Sequence, residues 1–215
     1  MLALLHTSPV HVPVFDALRN ADHPGLALRH LVDEELLTRA RAEGPDAVAS
    51  EVESLLATAV EAGAAAVLCT CSTIGAVAED AAGALGVPVL RVDRPMAAVA
   101  ASAGRVAVIA ALESTLEPTV ALIRQEAAGR PVDLRTLLVA GAWERFEAGD
   151  HDGYLDTVAA AVDGITGVDV IVLAQASMAG AAGRTTNGVP VLSSPRPGLT
   201  AAAEMIAKAA ASAAR

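Results

Sequence analysis

Residues 66–96 read AVLCTCSTIGAVAEDAAGALGVPVLRVDRPM, and residues 171–199 read IVLAQASMAGAAGRTTNGVPVLSSPRPGL. Set side by side, both follow one plan: an apolar strand, a polar turn, a helix of small residues, a Gly-Val-Pro-Val-Leu strand, an Arg-Pro turn and a further helix. Such self-similarity marks a duplicated half. It predicts two similar α/β lobes related by a pseudo-twofold axis and facing each other across a cleft. Matching the two Val-Leu pairs puts Cys71 opposite Ala176.

The same alternation runs through the rest of the chain. Short β-branched and leucine-rich runs predict strands at residues 2–6, 26–32, 64–69, 87–92, 105–110, 132–139, 168–174 and 189–192. Alanine-rich segments between them predict helices at residues 10–20, 46–62, 73–85, 94–103, 115–128, 143–149, 154–164, 178–185 and 198–213. Residues 30–43 read as a strand leading into an exposed helix, with Glu35 and Arg39 at i,i+4 spacing. Strands alternating with helices imply an α/β fold with mostly parallel sheets flanked by helices. The first lobe is expected over residues 1–94 plus 196–215 and the second over residues 95–195.

Composition narrows the function classes. With 53% hydrophobic and 19% charged residues, the 215-residue chain has the makings of a globular protein with a sizeable core. No apolar run approaches the roughly 20 residues of a membrane span, and the start, MLALLHTSPV, lacks the basic leader of a signal peptide. A net charge of −10 and 2% aromatic residues speak against nucleic-acid binding. Two cysteines spaced Cys-x-Cys would make a strained disulfide and too few metal ligands. A soluble, cytoplasmic protein without membrane or nucleic-acid partners is expected. No P-loop and no Gly-x-Gly-x-x-Gly follows a predicted strand, so nucleotide binding has no local support.

In open parallel sheets, ligands bind beyond the carboxyl ends of the strands. Those points are Cys71-Ser72-Thr73 in the first lobe and Gln175-Ala176-Ser177 in the second. Ser72 or Thr73 is expected to cap a helix whose free N–H groups favour an anion, and the same field would make Cys71 a better nucleophile or proton acceptor. Cys69, inside the strand, reads as a small core residue. His6 and Ser8 follow the first strand, where His6 either shares a proton with the thiol or bonds to backbone, and Ser8 either contacts a ligand or shapes a turn. Ser114 and Thr115 open another helix and read as oxyanion ligands, as caps, or as both. Ser177 is most simply an N-cap, and its hydroxyl with those of Ser72, Thr73 and Ser114 is expected to stabilise an enolate-like charge on the ligand; Asp93 reads as a cap of the helix at Met96. His11, His23 and His151 read as surface loop residues.

The strand-end Cys-Ser-Thr, the duplicated half, the segment ALESTLEPT at residues 111–119 and VLAQASMA at residues 172–179 resemble the aspartate/glutamate/hydantoin racemase superfamily, which also holds maleate isomerases and arylmalonate decarboxylases. The resemblance spans nearly the whole chain. It implies an isomerase that needs neither metal nor organic cofactor, acts on a small carboxylic acid or amino-acid derivative, and forms a dimer. In such racemases a cysteine from each half flanks the acidic carbon, since inversion needs a base and an acid on opposite faces. Cys71 resembles the first of these. His6 stands where glutamate racemases hold an assisting acid, Ser8 resembles a substrate-contacting hydroxyl, and Ser114 matches a carboxylate-binding threonine while Ala111 replaces a second one.

The second thiol is missing. Matching through Leu173 and Met178 puts Gln175 at its position, whereas the internal repeat puts Ala176 there. A single thiol can exchange a proton on one face, reprotonate a carbanion left by decarboxylation, or add to an alkene and release it isomerised. Expected functions are therefore a racemase-like isomerase using Cys71, a single-cysteine decarboxylase or cis–trans isomerase of a dicarboxylic acid, or a small-acid-binding protein without catalysis.

Overall fold

The apolar run LALLH forms strand β1 (Leu2–His6) and AVLC forms β3 (Ala66–Cys69), and every residue of both is buried. Burial on both faces is what a central strand of a parallel sheet undergoes, so an uninterrupted apolar run replaces polar–apolar alternation. With β2 (Leu28–Val32) and β4 (Val89–Arg91) they make a four-stranded parallel sheet in the order β2-β1-β3-β4. A second parallel sheet repeats that order as β6-β5-β7-β8, from β5 (Arg105–Ala110), β6 (Asp133–Leu138), β7 (Val170–Leu173) and β8 (Val191–Leu192). Both fourth strands are shorter than expected. Pro88 and Pro190 precede them and have no N–H for the ladder, although each carbonyl still accepts from the neighbouring strand, at Val67 N and Ile171 N.

The structure, a computed structural model, describes residues 1–213. The described residues divide into two compact units, Met1–Val92 with residues 195–213, and Asp93–Ser194. In the first unit, alternate residues of β1 and β3 feed two cores. Ala3, Leu5, Val67 and Cys69 pack under α2 (Glu35–Glu43), α3 (Ala49–Glu61) and α4 (Gly75–Asp80). Leu2, Leu4, Ala66 and Leu68 pack against Phe15 of α1 (His11–Asp22) and against Leu199 and Ala202 of α10 (Pro195–Ala213). The second unit does the same. Ala107, Ile109, Ile171 and Leu173 meet α8 (Ala142–Glu147) and α9 (His151–Asp163). Val106, Val108, Val170 and Val172 meet α6 (Arg94–Ala100) and α7 (Leu116–Ala127).

Several helices differ from expectation. The segment 73–85 is two short helices, α4 and α5 (Ala82–Leu85), the latter ending on Gly86 in the left-handed conformation at φ 67°. Helix α4 starts late, at Gly75, where the side chain of Arg91 crosses so closely that a Cβ would lie 2.7 Å from its Nε. The segment 46–62 divides into a 3-10 turn, Pro45–Val48, and α3, and the segment 178–185 is a 3-10 helix over Ala176–Gly183. Helix α9 begins three residues early, because the Asp150 carboxylate accepts Gly153 N at 3.0 Å and caps it. Helix α2 buries Leu36 and Ala40, and its Arg39 pairs with Glu51 at 2.6 Å and Glu43 at 3.7 Å rather than with Glu35. Among the described residues no helix is long and apolar enough to cross a membrane.

Candidate active site

All strands of a parallel sheet end on one edge, so the turns after β1, β3 and β4 in the first unit gather there. That edge brings together His6, Ser8, Cys71, Ser72 and Thr73. Cys71 is half-buried, one residue beyond the fully buried Thr70, and both cysteines are free thiols. Cys69 is wholly buried in the core under α2–α4, and its Sγ lies 3.6 Å from the Cys71 carbonyl oxygen. Ser72 and Thr73 are buried, but neither caps α4: the N-cap residue is Ile74, with no side-chain cap. Behind the turn, the buried Arg91 reaches from β4, with Nη2 3.5 Å from the Ser72 carbonyl oxygen.

His6 does not bond the thiol. The Thr70 hydroxyl donates to the Leu5 carbonyl at 3.0 Å, so the His6 Nδ1–H donates to Thr70 Oγ1 at 2.8 Å. His6 Nε2 then accepts from His30 Nδ1 at 2.8 Å, and His30 Nε2 lies 3.4 Å from Asp16 Oδ1. Burial, reinforced by His11 and His30 nearby, pushes the His6 pKa down to about 3, which keeps the ring neutral, while the Thr70 hydrogen bond fixes its tautomer. His11 is not a surface residue: it opens α1 buried beside His6, ring centroids 6.1 Å apart, and burial lowers its pKa to about 4. Sequence alone does not single out Thr70, His30, Asp16 or Arg91. His23 is half-buried against Thr200, and His151 is exposed.

In the second unit the corresponding edge gathers Ser114, Thr115, Gln175, Ala176 and Ser177. Ser177 is not an N-cap; its Oγ lies 2.8 Å from the hydroxyl of Tyr154, whose ring is buried and whose pKa burial raises. Thr115 is buried at the start of α7 without a side-chain cap, and Ser114 is half-buried in the preceding 3-10 turn. Asp93 takes the N-cap position of α6, fully buried, but its side chain makes no cap bond. Gln175 turns its side chain inward. Its Oε1 accepts the backbone N–H of Ala111 at 2.7 Å and of Leu112 at 3.0 Å, and Ala176 beside it is buried.

Strand register shows which residue repeats Cys71. Leu5 pairs with Cys69 and Ile109 with Leu173, and the next amides, Thr70 N and Ala174 N, donate to Leu5 O and Ile109 O, each at 2.9 Å. Counting on one residue from each, Cys71 corresponds to Gln175. The pairing with Ala176, made on the Val-Leu match, is therefore one residue out of register: in the sheets Val67 corresponds to Ile171 and not to Val172. Among the described residues no group of three or more His, Cys, Asp and Glu side chains is arranged to hold a metal ion.

The fold has known counterparts. Glutamate racemase from Francisella tularensis subsp. tularensis SCHU S4, in complex with D-glutamate, superposes with a TM-score of 0.76 at 12% identity, over 96% of this chain and 81% of that one. Picrophilus torridus aspartate racemase gives 0.70 at 14% identity, over 96% and 94%. A glycine-to-cysteine variant of arylmalonate decarboxylase in a sulfate-associated form gives 0.64 at 22% identity, over 96% and 93%. At these identities the likeness establishes the architecture. No curated protein sequence matches the chain. The model of the Asp/Glu/Hydantoin racemase family matches residues 12–206, and over so much of its length the chain belongs to that family.

Proposed function

We infer that the protein is a cofactor-independent enzyme that moves a proton at the carbon next to a carboxylate or carbonyl of a small acid, with Cys71 as its one acid–base sulfur. The observation that carries this reading is the pairing of Cys71 with Gln175. One unit carries a half-buried free thiol at the carboxyl edge of its sheet, and the other carries a glutamine at the same position. An amide donates and accepts hydrogen bonds but takes no proton near neutral pH. In the forward step the Cys71 sulfur, as thiolate, takes the proton from carbon, and the electron pair moves to the carboxylate or carbonyl oxygen as an enolate. The same sulfur then returns a proton to the same face, so exchange with solvent runs without inversion. His6 supports the turn through Thr70, and Arg91 braces it through the Ser72 carbonyl.

Decarboxylation is the second reading. A malonate-type acid that loses carbon dioxide leaves the same enolate and needs only one proton delivered, which a lone thiol supplies. The architecture shared with arylmalonate decarboxylase supports it. Both readings are tested by incubating the protein with amino acids, hydantoins, maleate and aryl- and alkyl-malonates in deuterated water and following the products by NMR. Deuterium at the α-carbon with retained configuration, or loss of carbon dioxide, is the expected outcome. Cys71→Ala should slow it by about 10²–10⁴-fold. Binding without turnover, equal in wild type and Cys71→Ala, would leave a binding protein in place of an enzyme.

A further inference from the structure

Gln175, which corresponds to Cys71 by strand register, places an acceptor oxygen at the edge of the second unit. A side-chain carboxamide oxygen is a close stand-in for one oxygen of a carboxylate or an enolate. In the second unit that oxygen accepts two consecutive backbone N–H groups, Ala111 at 2.7 Å and Leu112 at 3.0 Å, in the turn that follows β5. Two adjacent main-chain donors converging on one oxygen form an oxyanion arrangement.

The first unit carries the same turn. Ser8 O accepts from His11 N just as Leu112 O accepts from Thr115 N, each three residues on, and each turn follows a strand that pairs with its neighbour in the same register. Thr7 and Ser8 thus repeat Ala111 and Leu112. Among the described residues neither Thr7 N–H nor Ser8 N–H donates to a protein acceptor. The residue that repeats Gln175 is Cys71, whose side chain ends at Sγ and is too short to place an oxygen between those donors. An oxygen for this pair would therefore come from another molecule.

We propose that the adjacent backbone N–H groups of Thr7 and Ser8 form an oxyanion cradle beside Cys71 for a carboxylate or enolate oxygen of the substrate, and that Gln175 permanently fills the second unit's copy of it. The proposal deepens the reading of Cys71 as the proton-transfer group and rests on it for the chemistry. When the sulfur takes the α-proton, the charge that appears on oxygen falls between these two donors. The amide in the second unit makes the protein one-sided, with one cradle open and one filled from within.

Amide NMR of the full chain titrated with malonate tests this directly. In wild type the Thr7 and Ser8 amide protons should move downfield as malonate is added, while those of Ala111 and Leu112 stay where they are. Cys71→Gln should install in the first unit the plug already present in the second, so that Thr7 and Ser8 stop responding. Gln175→Ala should make Ala111 and Leu112 respond; the same spectra report whether each variant is folded. Silence of Thr7 and Ser8 in wild type, or an undiminished response in folded Cys71→Gln, overturns the cradle. Deuterium exchange that depends on Cys71 while these amides stay silent removes the cradle and leaves the thiol chemistry standing. Amide shifts that follow the expected pattern without any turnover keep the cradle and remove the chemistry.

Discussion

Cys69 and Cys71 stand two residues apart, both free thiols, yet they differ in burial. The first is wholly buried under helices α2–α4, and the second, past the strand end, is half-buried against the same core. Truncating Cys69 deletes a buried sulfur from the core, which should cost on the order of 1 kcal/mol. Cys69→Ala is therefore expected to unfold at lower urea concentration while exchanging the α-proton at the wild-type rate. Loss of exchange in this folded variant would mean that the assignment of the reactive sulfur is wrong. Sequence alone separates the two thiols, because one lies within an apolar run and the other beside Ser72. It does not reveal the partners of His6. Thr70 and His30 lie 64 and 24 residues from His6, and only pairing of β1 with β2 and β3 brings the three side chains together.

Among the elements, the turn that carries Cys71 depends on close passage of Arg91 over Gly75. A methyl group there would lie 2.7 Å from Nε and 3.0 Å from Cγ of that buried side chain, so Gly75→Ala should destabilise the protein by about 1–3 kcal/mol. At Gly83, in α5, an added methyl group would meet nothing within 4 Å, and Gly83→Ala should raise stability by roughly 0.5–1 kcal/mol. Urea midpoints of the two variants moving in the same direction would contradict this account. The strands were legible because two-sided burial demands continuous apolar runs. Helix starts were less so. Ser72, Thr73 and Ser177 are good N-cap residues by type, but tertiary partners decide: Arg91 crosses at Gly75, and Tyr154 holds Ser177. The duplicated Val-Leu pair misled by one position for a similar reason, since local identity does not report register.

For the whole molecule, burial of two neutral histidines links folding to pH. His6 and His11 have pKa values lowered by burial to about 3 and about 4, against 6.5 for the ordinary side chain. Between those limits the unfolded chain binds protons that the native state refuses. Their contribution is thus fully present above pH 6.5 and is lost as the pH falls through the window toward 4 and 3. Each histidine contributes a slope of about 1.4 kcal/mol per pH unit within it. His11→Leu should flatten the fall in urea stability between pH 6.5 and 4.5 by about that slope; an unchanged slope would show that His11 is protonated in the native state. The repeated four-stranded topology was legible from the internal repeat, because the order of strands and turns recurs even where Cys71 of one unit corresponds to Gln175 of the other.

The most direct test of the central claim is to alkylate the native protein with limiting iodoacetamide, map the label by mass spectrometry, and measure α-proton exchange on the substrate that the deuterium panel identifies. Label on Cys71 alone, with exchange lost in proportion to it, is the predicted result. Full labelling of Cys71 with exchange intact would contradict it.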